Sequence, residues 1–114
     1  GGEILKRFDL DRDTPARRGD FGRKNEGQGN AGDNSGLISL LRVNGGDGVF
    51  AGHWHRVNTS VTDPADGIRY TFGLKTGTYD YHDPDRLGGT LITLKSGRKG
   101  DFTVEHSVSR FCGI

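Results

Sequence analysis

This chain of 114 residues predicts an all-β fold: a small antiparallel sandwich or barrel of five to seven strands behind a Gly-rich, largely irregular N-terminal arm. Three observations carry that expectation. Beyond Gly36, short apolar runs alternate with turn-forming clusters at roughly ten-residue spacing, the rhythm of hairpin-connected strands. Residues 68–75 alternate strictly, with Ile68, Tyr70, Phe72 and Leu74 on one face. Residues 1–36 have seven apolar side chains against eight glycines, too little apolar surface to offset the entropy of ordering.

The chain therefore divides into an arm, 1–36, and a β-domain, 37–114. In the arm, residues 3–10 fit one short helical turn or a strand, and the polar stretch 22–36 reads as linker. Such an arm is expected to be mobile by itself; if ordered, it must be covered by the β-domain, a neighbouring subunit or a ligand. Residues 37–43 form an apolar run that suits a strand or a short helix. Asn44-Gly45-Gly46-Asp47-Gly48 is a loop of residues that tolerate positive φ. A long strand, 49–61, is expected next, then a turn at Asp63-Pro64-Ala65-Asp66-Gly67 and the strand 68–75. Thr76-Gly77 turns into a strand over 78–82, and 83–89 is a loop. Strands over 90–95 and 101–111, joined by a turn at 96–100, complete the domain. No parallel crossover has room for a helix, and no internal repeat is present.

Composition narrows the function classes. Sixteen basic and fifteen acidic side chains give a net charge of +1, and they are mixed along the chain. No like-charge block exists to grip a phosphate backbone or an anionic lipid surface, so general nucleic-acid binding is not expected. The longest apolar runs fall far short of a membrane span, and no signal peptide is expected in this chain. Only 31% of residues are hydrophobic, which predicts a thin core; a domain of this size buries roughly two-thirds of its unfolded surface. Cys112 is the single cysteine, so no intrachain disulfide can form, which argues against a small secreted scaffold stapled by bridges.

Histidines supply the first candidate site. With 49–61 as one strand, Val49, Ala51, His53, His55, Val57 and Val61 share a face, and Trp54, Arg56, Asn58 and Ser60 share the other. Phe102, Val104, His106 and Val108 repeat the pattern near the end. Imidazoles on an apolar face need a hydrogen-bond partner, a metal or a catalytic role. His53 and His55 project side by side from one strand. His106 from another can complete a three-nitrogen site for a transition metal with one position open. Without metal the same three residues could act as an acid–base set in a ribonuclease-type hydrolase or toxin domain, with Arg69, Lys75 or Arg110 neutralising the phosphate and Tyr79 or Tyr81 positioning it. The simpler reading is that they are partly buried and bonded to neighbouring backbone or to Glu105 and Ser107; another is that the faces are reversed, with Phe50 and Trp54 as the buried set.

Acids and aromatics of the turns supply the second. Asp63, Asp66, Tyr79, Asp80, Tyr81, His82, Asp83 and Asp85 suit Ca²⁺ or carbohydrate, with Tyr79, Tyr81, Asp83 and Asp85 as the binding set. Ordinary turn capping by Asp explains the same residues. Short matches elsewhere carry little. Asp9-Leu10-Asp11-Arg12-Asp13 begins like an EF-hand loop but has Thr14 where glycine is required. Arg18-Gly19-Asp20 and Asn58-Thr59-Ser60 are three-residue coincidences. Gly27-x-Gly29-x-x-Gly32 lacks the flanking strand and helix of a phosphate cradle. Cys112, close to the end of the chain, reads as an incidental thiol.

The function expected from these features is non-enzymatic: a structural or assembly subunit, of the virion capsid, decoration or tail kind or of the filament or surface-layer kind. Its glycine-rich arm and a strand edge would contact copies of itself or a neighbouring structural protein. The alternatives are the small ribonuclease-type hydrolase and a metal- or carbohydrate-binding module. No cofactor is expected in the first case, and a transition metal in the histidine case.

Overall fold

The computed structural model describes residues 19–27 and 36–109. Among them are one short helix, α1 (Leu37–Val43), and five strands, β1 (Gly48–Ala51), β2 (Ser60–Thr62), β3 (Arg69–Phe72), β4 (Gly88–Leu94) and β5 (Phe102–Val108). The strands form two small sheets, one of order β1-β3-β2 and one of β4-β5. The described residues are thus predominantly β, as expected.

The apolar run 37–43 takes the helical of its two readings. Gly36 enters it with φ 75°, and Asn44 N and Gly46 N close its end on Leu40 O and Leu41 O. Seven residues make less than two turns, too few for a helix to stand by propensity. Tertiary contacts hold it instead: Ile38 is buried, Leu41 packs against the core, and the Arg42 guanidinium clasps the Asp66 carboxylate at 2.9 Å.

Asp63 and Asp66 make the β2–β3 turn. Asp63 Oδ1 accepts from Ala65 N and Asp66 Oδ1 from Ile68 N, and Gly67 has the positive φ that the corner requires. β2 then runs antiparallel to β3, with Val61 opposite Tyr70. One face of this sheet carries the core: Val57, Val61, Ile68, Tyr70 and Phe72, with Leu41, Val49, Ala51 and Trp54 against them. The alternation over 68–74 holds, since Ile68, Tyr70, Phe72 and Leu74 are all buried. The opposite face is polar. Ser60 Oγ bonds Thr71 Oγ1 at 2.8 Å, and Arg69 reaches across to Ser60 Oγ, Thr62 Oγ1 and Gly19 O.

Three expectations are corrected. The strand over 49–61 is not continuous: β1 ends at Ala51, His53 has φ 95°, and β2 starts at Ser60. The face assignment fails with it. Val49, Ala51, Val57 and Val61 do reach the core, but so does Trp54, whose ring meets Phe72 edge-on at 5.5 Å, whereas His53 is exposed. Second, β1 pairs β3 in parallel, Val49 opposite Tyr70, so the domain is not purely antiparallel. The crossover needs no helix because the irregular stretch after Ala51 and β2 together return the chain. Third, 78–82 is a bend with φ 67° at Asp80, and Lys75 Nζ pins it by donating to Gly77 O and Tyr79 O.

Residues 20–26, which composition assigns to the arm, lie along β2 and the loop before it. Phe21 and Ser60 exchange backbone hydrogen bonds at 3.0 and 2.8 Å, Asn58 N donates to Arg23 O, and Asn25 N to Arg56 O. The notional EF-hand start, most of the Gly27–Gly32 pattern and Cys112 lie outside the described residues. Asp20 of the Arg-Gly-Asp tripeptide is engaged in the fold, where its Oδ1 accepts from Thr62 N. No helix among the described residues is long and apolar enough to cross a membrane.

Candidate functional site

Two polar clusters and one exposed ribbon surface stand out. The first cluster centres on Asp83, only 4% exposed. Its carboxylate accepts from Arg56 Nε at 2.7 Å, Asn25 Nδ2 at 2.8 Å and an Arg23 terminal nitrogen at 3.2 Å. Burial pushes this carboxyl upward, but the hydrogen bonds from Arg56 and Asn25 and the charges of Arg23 and Arg56 outweigh it and hold it below the ordinary range. The Asp83 bond in turn raises Arg56. Asp85 takes the same Arg23 nitrogen at 2.7 Å.

Beside it, the His55 ring stacks on Tyr81 at 4.3 Å and 20°. His55 Nδ1 donates to Tyr81 O at 2.9 Å, and the Tyr81 hydroxyl donates to Glu26 at 3.0 Å. The other Glu26 oxygen accepts from Arg56 N. Burial, then the Glu26 contact, raises the Tyr81 phenol. These bonds join three sequence-distant stretches.

The second cluster surrounds His106. Its Nε2 lies 2.6 Å from Asn58 O and its Nδ1 2.9 Å from Thr90 Oγ1. Thr90 Oγ1 also accepts from Leu74 N at 3.1 Å. Phe21 meets the imidazole edge-on at 5.0 Å and lies beneath the Arg69 guanidinium, 5.4 Å away. Burial lowers the His106 pKa and the nearby Arg86 and Arg69 charges add to that, against the opposing bond to Asn58 O.

The candidate histidines are therefore not gathered. His53 contacts Trp54, His55 stacks on Tyr81, and His106 bonds Asn58 and Thr90. Among the described residues no group of three or more His, Cys, Asp or Glu side chains is arranged to hold a metal ion. The alternation that placed His53 and His55 beside each other ends at Ala51, so the physical basis of that trio is gone. The proposed sugar-binding set divides as well. Asp83 and Asp85 are occupied by arginines, Tyr81 is committed to His55 and Glu26, and Tyr79 alone stands free at 90% exposure.

Arg23, Asn25, Glu26 and Phe21 were missed. Each acts 30 to 85 positions away in sequence, and a single sequence carries no periodic signal for such contacts. The acidic Asp83-Pro84-Asp85 and the basic Arg23-Lys24 and Arg56 offered charge complementarity, but nothing selected those pairs among the other mixed charges.

The remaining feature is the ribbon of β4 and β5, with Ile92 opposite Val104 and Leu91 opposite Glu105. Lys95 N donates to Asp101 O and Ser109 N to Leu87 O. Odd-numbered pairs therefore make the ladder bonds, and Phe102, Val104, His106 and Val108 direct their backbone groups outward. Leu91, Ile92, Leu94 and Val108 are exposed, Leu94 at 78%.

Comparison with protein-family models, with curated proteins and with solved structures yields no match.

Proposed function

We propose that this protein is a non-enzymatic assembly subunit that joins copies of itself, or a neighbouring structural protein, through the outer edge of β5. The β4–β5 ribbon carries the reading. Seven residue pairs long, it has no third strand among the described residues and displays four apolar side chains to solvent. An isolated two-stranded ribbon is marginal in water, and a long apolar edge is a template for another strand. β5 has one charge, Glu105, and no proline to discourage pairing. Added strands gain backbone bonds at Phe102, Val104, His106 and Val108, and cover the exposed Val108 side chain.

Within the subunit the two sheets act as a small, thin sandwich. Phe102 meets Phe50 at 6.3 Å, and Gly100 N donates to Asp47 Oδ2. In such an assembly the arm residues outside 19–27 would add contacts to a neighbour, as in subunits of capsids, tails, filaments or surface layers.

Molar mass by multi-angle light scattering tests this. The wild-type chain is expected to show a multiple of 12.4 kDa that depends on concentration. Val108→Pro, which removes an outward-directed N–H at an exposed position of β5 and leaves the β4–β5 ladder bonds in place, is expected to yield folded monomer. A wild-type protein that stays monomeric at the highest soluble concentration overturns the proposal.

A further inference from the structure

We propose that His106 is an acid-sensitive latch that holds the β4–β5 ribbon against the three-stranded sheet and loosens it when the imidazole becomes doubly protonated. The inference goes beyond the assembly reading and does not depend on it.

Hydrogen-bond accounting fixes the resting state. Thr90 Oγ1 accepts from Leu74 N, and its single proton is then free to be donated to His106 Nδ1. The Nε2–H donates to Asn58 O. Both ring nitrogens are satisfied by the neutral Nε2–H tautomer, and the ring sits against Phe21.

His106 thereby ties four stretches together: β5, β4 through Thr90, the loop ahead of β2 through Asn58, and the segment 19–27 through Phe21. A second proton turns Nδ1 from acceptor into donor. It would point at a hydroxyl proton, so the Thr90 hydroxyl must rotate to accept from the ring and from Leu74 N at once, and its own proton loses the acceptor it had in Nδ1. The new charge also meets two cations, Arg69 from β3 and Arg86 from the loop before β4. Asp20, the carboxylate on this side from the segment 19–27, is already coupled to Arg69. Glu105, the acidic neighbour on β5 itself, falls on the opposite face of the strand and is exposed.

Other ties between the ribbon and the rest include the Phe50–Phe102 ring contact, the Gly88 N to Lys75 O bond, and the Gly100 N bond to Asp47 Oδ2. An unperturbed imidazole titrates at about 6.5.

Amide hydrogen exchange between pH 7.5 and 5.5, with intrinsic rates divided out, tests the latch. The reporters are Leu74 N–H and Gly88 N–H, which bridge to and from the ribbon, and the reference is Phe72 N–H, bonded to Thr59 O in the core sheet. In the wild-type protein the two reporters are expected to exchange faster at pH 5.5. The acceleration is limited to about tenfold for each pH unit by which the fold depresses the imidazole. Phe72 should change far less. In His106→Gln, whose amide can still donate to Asn58 O, the pH difference should vanish. Arg86→Gln removes one opposing cation, so the His106 ring titration and the reporter exchange should move together to higher pH. Wild-type reporters insensitive to pH overturn the latch. So does an undiminished pH effect in His106→Gln or, should that variant not fold, a reporter midpoint in Arg86→Gln that stays put while the ring titration moves.

Discussion

Single residues decide whether the N-terminal segment can lie where it does. Gly22 has φ 94°, and a Cβ there would sit 2.1 Å from Asn58 O, inside the backbone of the neighbouring loop. Strain and collision act together, so Gly22→Ala is expected to cost about 3 kcal/mol, read as a lower urea midpoint. An unchanged midpoint would mean that 20–26 is not held against β2. Nothing in the sequence distinguished Gly22 from the other nineteen glycines, because its requirement comes from a carbonyl 36 positions away. His53 shows the converse. Its φ of 95° is unusual for a residue with a side chain, and no pattern of apolar and polar letters anticipates a left-handed turn at a histidine. That torsion falls just after β1 ends at Ala51, within the break in the alternation on which the three-histidine site rested.

At the scale of elements, legibility followed periodicity. The stretch 68–74 alternates cleanly and has one face packed in the core, so both its strand character and its inward residues could be read directly. Residues 49–61 also alternate in part, but Gly52 and the turn at His55 and Arg56 interrupt them. The four valines and alanines that reach the core do so from two separate pieces. The apolar run 37–43 was ambiguous by length, and its helical outcome depends on Asp66 and the core, which propensity does not see. The segment 20–26 was the least legible element, because it is held by polar partners. Asp83 is the hub of that attachment. Asp83→Ala leaves the Arg56 guanidinium and the Asn25 amide without this acceptor and Arg23 with Asp85 alone, at an expected cost on the order of 2 kcal/mol. The loss should be local: exchange at the amides of Phe21, Asn25 and Asn58 should rise well above that of Tyr70. Uniform acceleration across all four would show that the segment is not a separable unit.

For the molecule as a whole, the two polar clusters set how stability depends on acid. The fold disfavours the charged form of His106. The unfolded chain therefore takes up that proton first, and stability falls as pH drops below about 6.5 until the folded-state pKa is passed. Asp83 is depressed in the fold, so its contribution is complete above about 4 and is lost only as pH falls further through its folded value. Urea midpoints are expected to decline in two separated windows, and His106→Gln should erase the first while leaving the second. A single decline confined to pH below 4 would contradict this assignment. The β class and thin core were legible because both follow from composition and turn spacing. The division of the core sheet into an apolar face and a serine-, threonine- and arginine-lined face was not, since polar residues at alternate positions look the same whether they meet water or Ser60, Thr71 and Arg69. The attachment of 20–26 has a further consequence for biosynthesis. This segment leaves the ribosome before the rest of the described residues, yet the carboxylate that anchors it lies about sixty residues downstream. The first of the described segments to be made is therefore among the last to be seated, and a chain stalled before Asp83 emerges would carry Arg23 and Asn25 with that anchor missing, open to proteases and chaperones until translation resumes.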